Sequence, residues 1–207
     1  MFIGVSGVAG SGKDLFVEKV IEFLTKLGKK AKRFALADGL KEDARLILIQ
    51  KYGIDPTNCS REEKDKIRPD LVKIAQQKRE ESEGRYWINK LEVQMKSSEP
   101  CDYYCISDIR FAEYERDEVF WLKKEKQGIL VHVSKYFIEN GSARVNLPAN
   151  EAERKNDPVL LDEADYHVLW QHGCKHPENE ALAFIERLLL NEEKKREEGL
   201  GEPKANI

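Results

Sequence analysis

The sequence predicts an α/β protein built on a parallel five-stranded sheet wrapped by helices. Short apolar runs of strand length alternate with stretches of helical periodicity. The connections between successive runs are long enough for crossovers, which parallel strands require. The first run, residues 1–5, is apolar without polar alternation, as in a strand covered on both faces.

Taken in order, residues 1–5 predict the first strand, followed by a glycine-rich turn. Phe16, Val17, Val20, Ile21, Phe23, Leu24 and Leu27 then recur at helical spacing up to Gly28. Residues 32–37 predict a second strand, and the apolar run 46–49 lies in a helix expected to begin near Gly39 and end before Gly53. The charge-dense stretch 59–70, which contains Pro69, predicts an exposed connection. Residues 71–96 predict helix, broken near Gly84. A third strand is expected at 103–107, a charged-faced helix at 111–126 and a fourth strand at 129–133. Residues 135–164 hold Gly141, Pro148, Pro158 and many charges without sustained periodicity, a pattern typical of functional loops. A fifth strand at 166–170 and a closing helix at 177–190 complete residues 1–190 as one domain. Residues 191–207 form a charged tail expected to fray.

Composition excludes several classes. Of 207 residues, 35 are Lys or Arg and 38 are Asp or Glu, for a net charge of −3. Binding to nucleic acid through its phosphates needs an excess of basic residues, so no nucleic-acid partner is expected. No apolar run exceeds five residues, too short to span a membrane. No basic segment followed by an apolar core marks a signal peptide at the N-terminus. Four cysteines in a chain of this length do not make a disulfide framework, and a reduced, cytoplasmic protein is expected.

The strongest motif is Gly7-Val8-Ala9-Gly10-Ser11-Gly12-Lys13, which fits the G-x-x-x-x-G-K pattern of a phosphate-binding loop. It lies directly between the first strand and the first helix, where such a loop works. Glycines allow successive amides to turn inward on a phosphate. The helix N-terminus adds positive potential, and Lys13 supplies a cation for the β- and γ-phosphates. The next residue, commonly a Ser or Thr that binds magnesium, is Asp14. It is either an oxygen ligand for Mg²⁺, directly or through water, or a first-turn acid complementing the helix dipole.

Cys105-Ile106-Ser107-Asp108-Ile109-Arg110-Phe111, the Gly-Lys-Asp of the loop, and Phe34-Ala35-Leu36-Ala37-Asp38-Gly39-Leu40-Lys41 together resemble the bacteriophage-type deoxynucleoside monophosphate kinase family. The stretch 150–166 is similar to that family's lid leading into its last strand. The resemblance implies a P-loop kinase fold, with a helical monophosphate-binding part near 38–98 and a lid near 135–164. It implies ATP and Mg²⁺ as cofactors, small-molecule nucleotides as partners and a possible homodimer. Many relatives carry Thr where this chain has Leu15, so a hydroxyl contact to nucleotide phosphate there is absent or replaced.

Gly7, Gly10, Ser11, Gly12, Lys13, Asp14 and Leu15 are thus the candidate ATP-phosphate residues. Asp108, at the carboxyl end of a core strand, is placed to hold the waters of Mg²⁺, and Arg110 can clamp a phosphate with its planar fork. With Lys13 these form the candidate catalytic set; a local ion pair at a strand end is the plainer reading of Asp108 and Arg110. The resemblance implies monophosphate binding by Asp38, Lys41, Arg79 and Arg110, the first three being equally readable as surface charges. Arg144 and Arg154 fall in the expected lid, where cations would close over the transferring phosphate.

Other matches are set aside. Asp162-Glu163-Ala164-Asp165 precedes a strand instead of ending one, and His172–His176 lacks a fourth metal ligand. Asn89-Lys90-Leu91-Glu92 sits within a helix, so no guanine-recognition element supports a GTPase switch. The expected function is ATP-dependent phosphorylation of a (deoxy)nucleoside monophosphate to the diphosphate. The alternatives are a kinase for another phosphorylated metabolite, of the phosphomevalonate or dephospho-coenzyme A type, and a non-catalytic ATP-binding regulator.

Overall fold

A computed structural model describes residues 1–198. Strand β1 (Phe2–Ser6) enters the core and leads through the glycine loop into helix α1 (Lys13–Lys26), after which β2 (Ala31–Phe34) returns to the sheet. Three helices follow, α2 (Leu36–Tyr52), α3 (Arg61–Glu81) and α4 (Arg85–Lys96), before β3 (Tyr103–Ile106). A short helix α5 (Glu118–Phe120) continues as a π-helical turn over Trp121–Glu125 and leads to β4 (Ile129–Glu139). The chain then forms β5 (Ser142–Val145), α6 (Glu151–Asp162), β6 (Tyr166–Gln171) and α7 (Glu178–Glu197).

The five expected parallel strands are present in the order β2-β3-β1-β4-β6, and β5 adds an antiparallel sixth on the extension of β4. Helices cover both faces. Ile3, Val5, Val131 and Val133 pack against Phe16, Val20 and Leu24 of α1 and Phe184 and Leu188 of α7. Phe34, Ile106 and Leu130 face Trp87 and Leu91 of α4, Trp121, Leu122 and Leu160 of α6. A third cluster, Ala44, Leu48, Ile54, Ile67 and Leu71, joins α2 to α3 away from the sheet. No helix among the described residues is long and apolar enough to cross a membrane.

Several elements differ from expectation. Helix α2 starts at Leu36, not near Gly39, and cuts the second strand short at Phe34. Residues 61–70 are helical, not an exposed connection. Ser60 accepts the Glu63 amide and Glu63 returns a bond to the Ser60 amide, a capping box that starts α3, while Ile67 and Leu71 anchor one face. The helix expected over 111–126 forms only over 118–125: residues 110–117 are a loop wound around two carboxylates. The stretch 135–164 is filled by the rest of β4, a hairpin turning at Asn140-Gly141, and α6. Helix α6 docks through a buried Asn156 as well as Leu160, so apolar periodicity did not announce it. Helix α7 runs on to Glu197 and takes up the first part of the expected tail; residues 199–207 lie outside the described residues.

Candidate functional site

The loop 7–13 leaves the carboxyl end of β1 at the centre of the sheet, where open α/β sheets bind ligands. Its path requires glycine. Gly7 has φ 133° and an added Cβ would drive into the Val133 carbonyl oxygen; Gly12 has φ 93° and an added Cβ would enter the Trp170 ring. Trp170 is fixed there because its Nε1 donates to the Ser11 carbonyl at 2.7 Å. No side chain caps α1, so its first amides open onto the loop. The Ser11 hydroxyl is buried without a partner, as is that of Ser107 at the end of β3. The arrangement is a cradle that side chains would fill, and it fits the phosphates of a nucleotide.

Lys13 folds over this loop. Its Nζ donates to the carbonyls of Gly7 (2.7 Å) and Val8 (2.8 Å), and only 8% of the residue is exposed. Burial, helped by the neighbouring Arg110 charge, lowers its pKa to about 8 against the pull of Glu153, Asp14 and Asp108.

Asp108 sits beside the loop, but its carboxylate is already engaged. Oδ1 accepts the Leu36 amide and Oδ2 the Ala37 amide, each at 2.8 Å, so this side chain starts helix α2. Burial raises its pKa while Arg110 and the two amides oppose the shift. Asp14 points outward: its side chain is 82% exposed and its nearest cation is Arg33, at 3.8 Å. No group of three side chains able to hold a metal ion occurs among the described residues. Asp14 fits the role of first-turn acid. Leu15 is likewise turned partly to solvent.

Arg110 does face the loop. Its Nη1 lies 3.6 Å from Glu153 Oε1, and the other oxygen of that carboxylate accepts the Ala9 amide (3.2 Å) and the Ala149 amide (2.9 Å). An anionic group is thus held between the glycine loop and Arg110, contributed by α6. Asn146 adds a second tie, donating from Nδ2 to the Ala9 carbonyl at 3.0 Å. Glu153 and Asn146 were missed in the sequence, and only their place in the expected lid hinted at them.

Arg79, expected to bind an acceptor phosphate, is enclosed by carboxylates. Its guanidinium is 5% exposed and grips Asp117 with two bonds (3.0 and 2.8 Å), with Glu118 and Glu113 each at 3.4 Å. The Phe111 ring stacks on it, 3.6 Å away. Asp38 and Lys41 lie 3.5 Å apart on α2, and Asp38 also pairs with Arg33 at 3.1 Å. Both line a cleft of about 520 Å³ between α2 and α4, together with Thr57, Lys90, Leu91 and Gln94. Arg144 pairs with Glu139 across the hairpin and Arg154 with Glu151 along α6; both are well exposed.

No family model matches this sequence, and no curated protein matches it. Among solved structures, the chain is similar to a shikimate kinase from Acinetobacter baumannii in complex with shikimate, at 14% identity over 92% of this chain and 93% of that one, with a TM-score of 0.46. It is also similar to a dephospho-CoA kinase from Campylobacter jejuni, at 18% identity over 90% of this chain and 96% of that one, with a TM-score of 0.44. What the protein shares with a phosphate-binding α/β fold rests on its own sheet order and glycine loop.

Proposed function

We propose that the protein is a phosphotransferase that moves the γ-phosphoryl group of ATP onto a (deoxy)nucleoside monophosphate. The observation that carries this reading is the meeting of the glycine loop and Arg110 on one carboxylate, that of Glu153. An anion at that point is contacted by the donor-binding loop on one side and by a guanidinium on the other, which is the layout phosphoryl transfer needs.

In this reading the loop amides and the N-terminus of α1 hold the β- and γ-phosphates. Lys13 leaves the Gly7 and Val8 carbonyls to neutralise charge on the migrating group. An oxygen of the acceptor monophosphate forms the new bond to the γ-phosphorus as the bond to the β–γ bridging oxygen breaks, releasing ADP. Arg110 orients the acceptor phosphate with its fork. The cleft carrying Asp38, Lys41 and Lys90 takes the sugar and base, and α6 closes the site against water. Magnesium would supply charge neutralisation on the triphosphate when bound, and no step depends on Asp14 or Asp108 as its ligand. An assay of ADP release over a panel of nucleoside monophosphates, with a no-acceptor control, tests the reading. Release that requires one or more monophosphates supports it, and release independent of acceptor overturns it.

A further inference from the structure

The loop that carries Arg110 has no regular structure over residues 110–117, yet it is among the most densely bonded parts of the molecule. The bonds come from two adjacent buried carboxylates. Glu118 Oε2 accepts the amides of Arg110 (2.6 Å) and Phe111 (3.1 Å). Asp117 accepts those of Glu113 (3.0 Å) and Tyr114 (3.4 Å) through Oδ2 and that of Glu118 (2.9 Å) through Oδ1. Both carboxyls pair with the single guanidinium of Arg79, which reaches them from α3. Gly84, between α3 and α4, makes room: an added Cβ would lie 2.7 Å from Asp117 Oδ1.

We propose that Glu118 is the positioning residue for Arg110, with Arg79 as the brace that holds Glu118 in place. The inference rests on the reading of Arg110 as the acceptor-phosphate clamp. An exposed arginine on an irregular loop would wander over several ångströms, and losing about 1 Å of alignment can cost on the order of 100-fold in rate. Here the backbone amide of Arg110 itself is pinned, so its side chain starts from a fixed point and keeps only rotamer freedom. The pinning oxygen is buried, and the other oxygen of the same carboxyl lies 3.4 Å from the Arg79 guanidinium, so the anchor is held from both ends. Arg79 lies on α3, which packs against the α2 and α4 helices that line the acceptor cleft, so the clamp is braced from the acceptor side of the site.

The test is a double-mutant cycle of Glu118→Gln with Arg110→Ala. Glutamine keeps the size and one accepting oxygen. Its amide nitrogen must then face either the Arg79 guanidinium or the two loop amides, donor against donor. Expected is a loss of about tenfold or more in kcat/KM for the monophosphate, with the Kd for ATP within twofold of the parent. Expected too is no further loss when Glu118→Gln is added to Arg110→Ala. Additive losses in the cycle, or equal losses for donor and acceptor, would make Glu118 merely structural and overturn the proposal. If Arg110→Ala itself leaves acceptor turnover unchanged, it is the reading of Arg110 that fails, and the inference falls with it. Should Glu118→Gln not fold, Arg79→Lys takes its place: it keeps the charge, loses the fork, and must show the same non-additivity with Arg110→Ala.

Discussion

The Glu153 carboxylate accepts the Ala9 amide at 3.2 Å while its other oxygen lies 3.6 Å from Arg110, so an acid from α6 sits at the mouth of the glycine loop. A nucleotide phosphate arriving there meets a resident anion and has to displace it. Glu153→Gln removes the charge and keeps the shape. Triphosphate binding by calorimetry should tighten about fivefold or more, the low end of ordinary coupling between competing states. Weaker binding in this variant would mean that Glu153 supports the nucleotide instead of standing in for it.

Lys13 gives a pH signature. Its folded pKa, about 8, lies below the ordinary lysine value of 10.5, so between these two pH values the unfolded chain holds a proton that the folded chain has released. Stability of the ligand-free protein should therefore rise with pH through that window, and the burial penalty is fully present below about 8. A bound triphosphate favours the charged ammonium, so ATP binding near pH 8.5 should take up protons. Calorimetry in buffers of different ionisation enthalpy reads this directly, and an absence of buffer dependence would refute it. Lys13→Ala should lose about 100- to 1000-fold in turnover without lowering the unfolding temperature of the ligand-free protein.

Gly12 and Gly28 both have positive φ, but only Gly12 has a neighbour in the way. Gly28→Ala meets open space and should cost about 1 kcal/mol, the strain of a left-handed residue. Gly12→Ala pushes into the Trp170 ring, which cannot retreat without breaking its bond to the Ser11 carbonyl. It should cost about 2–4 kcal/mol, strain and overpacking together, and abolish nucleotide binding. Thermal unfolding and nucleotide titration of the two variants check the contrast.

The glycine loop was legible in the sequence because its chemistry is local: seven consecutive residues between one strand and one helix set both shape and charge. The sheet was legible for the same reason, since strands such as residues 1–5 bury both faces. Glu153 was not legible, because it meets Ala9 across a separation of 144 residues. The partners of Arg79 were not legible, because Asp117 and Glu118 come from a segment whose charges suggested an ordinary exposed helix face. Helix α3 could have been found: Ser60 and Glu63 spell a capping box, and Ile67, Leu71 and Ile74 share one face. The charge density hid them. Helix α6 gave less to find, because the buried polar side chain of Asn156, which bonds to the Ala112 amide and to Glu113, helps to dock it.

The buried setting of Arg79 makes the last prediction. If it were an acceptor-binding residue, Arg79→Ala would raise KM and leave the fold intact. Among the described residues Arg79 is the guanidinium paired with the buried Asp117 and Glu118 carboxyls, and breaking so buried a pairing costs about 3–5 kcal/mol. Burial already pushes the Glu118 carboxyl up to about 8, with Arg79 as the largest opposing influence, so removing the guanidinium pushes it higher. A carboxyl whose folded pKa exceeds its unfolded one binds more protons in the folded state, so stability falls as pH rises above the unfolded value. The deficit of Arg79→Ala should therefore hold steady below about pH 8 and widen as the pH is raised from there toward about 10, where the parental Glu118 has released its proton and the variant's has not. Arg144→Ala and Arg154→Ala, which remove exposed pairs only, should change stability by less than about 0.5 kcal/mol at any pH. Denaturant unfolding of the three variants across this range decides between the roles. An Arg79→Ala protein of parental stability with a raised acceptor KM would restore the phosphate-binding assignment.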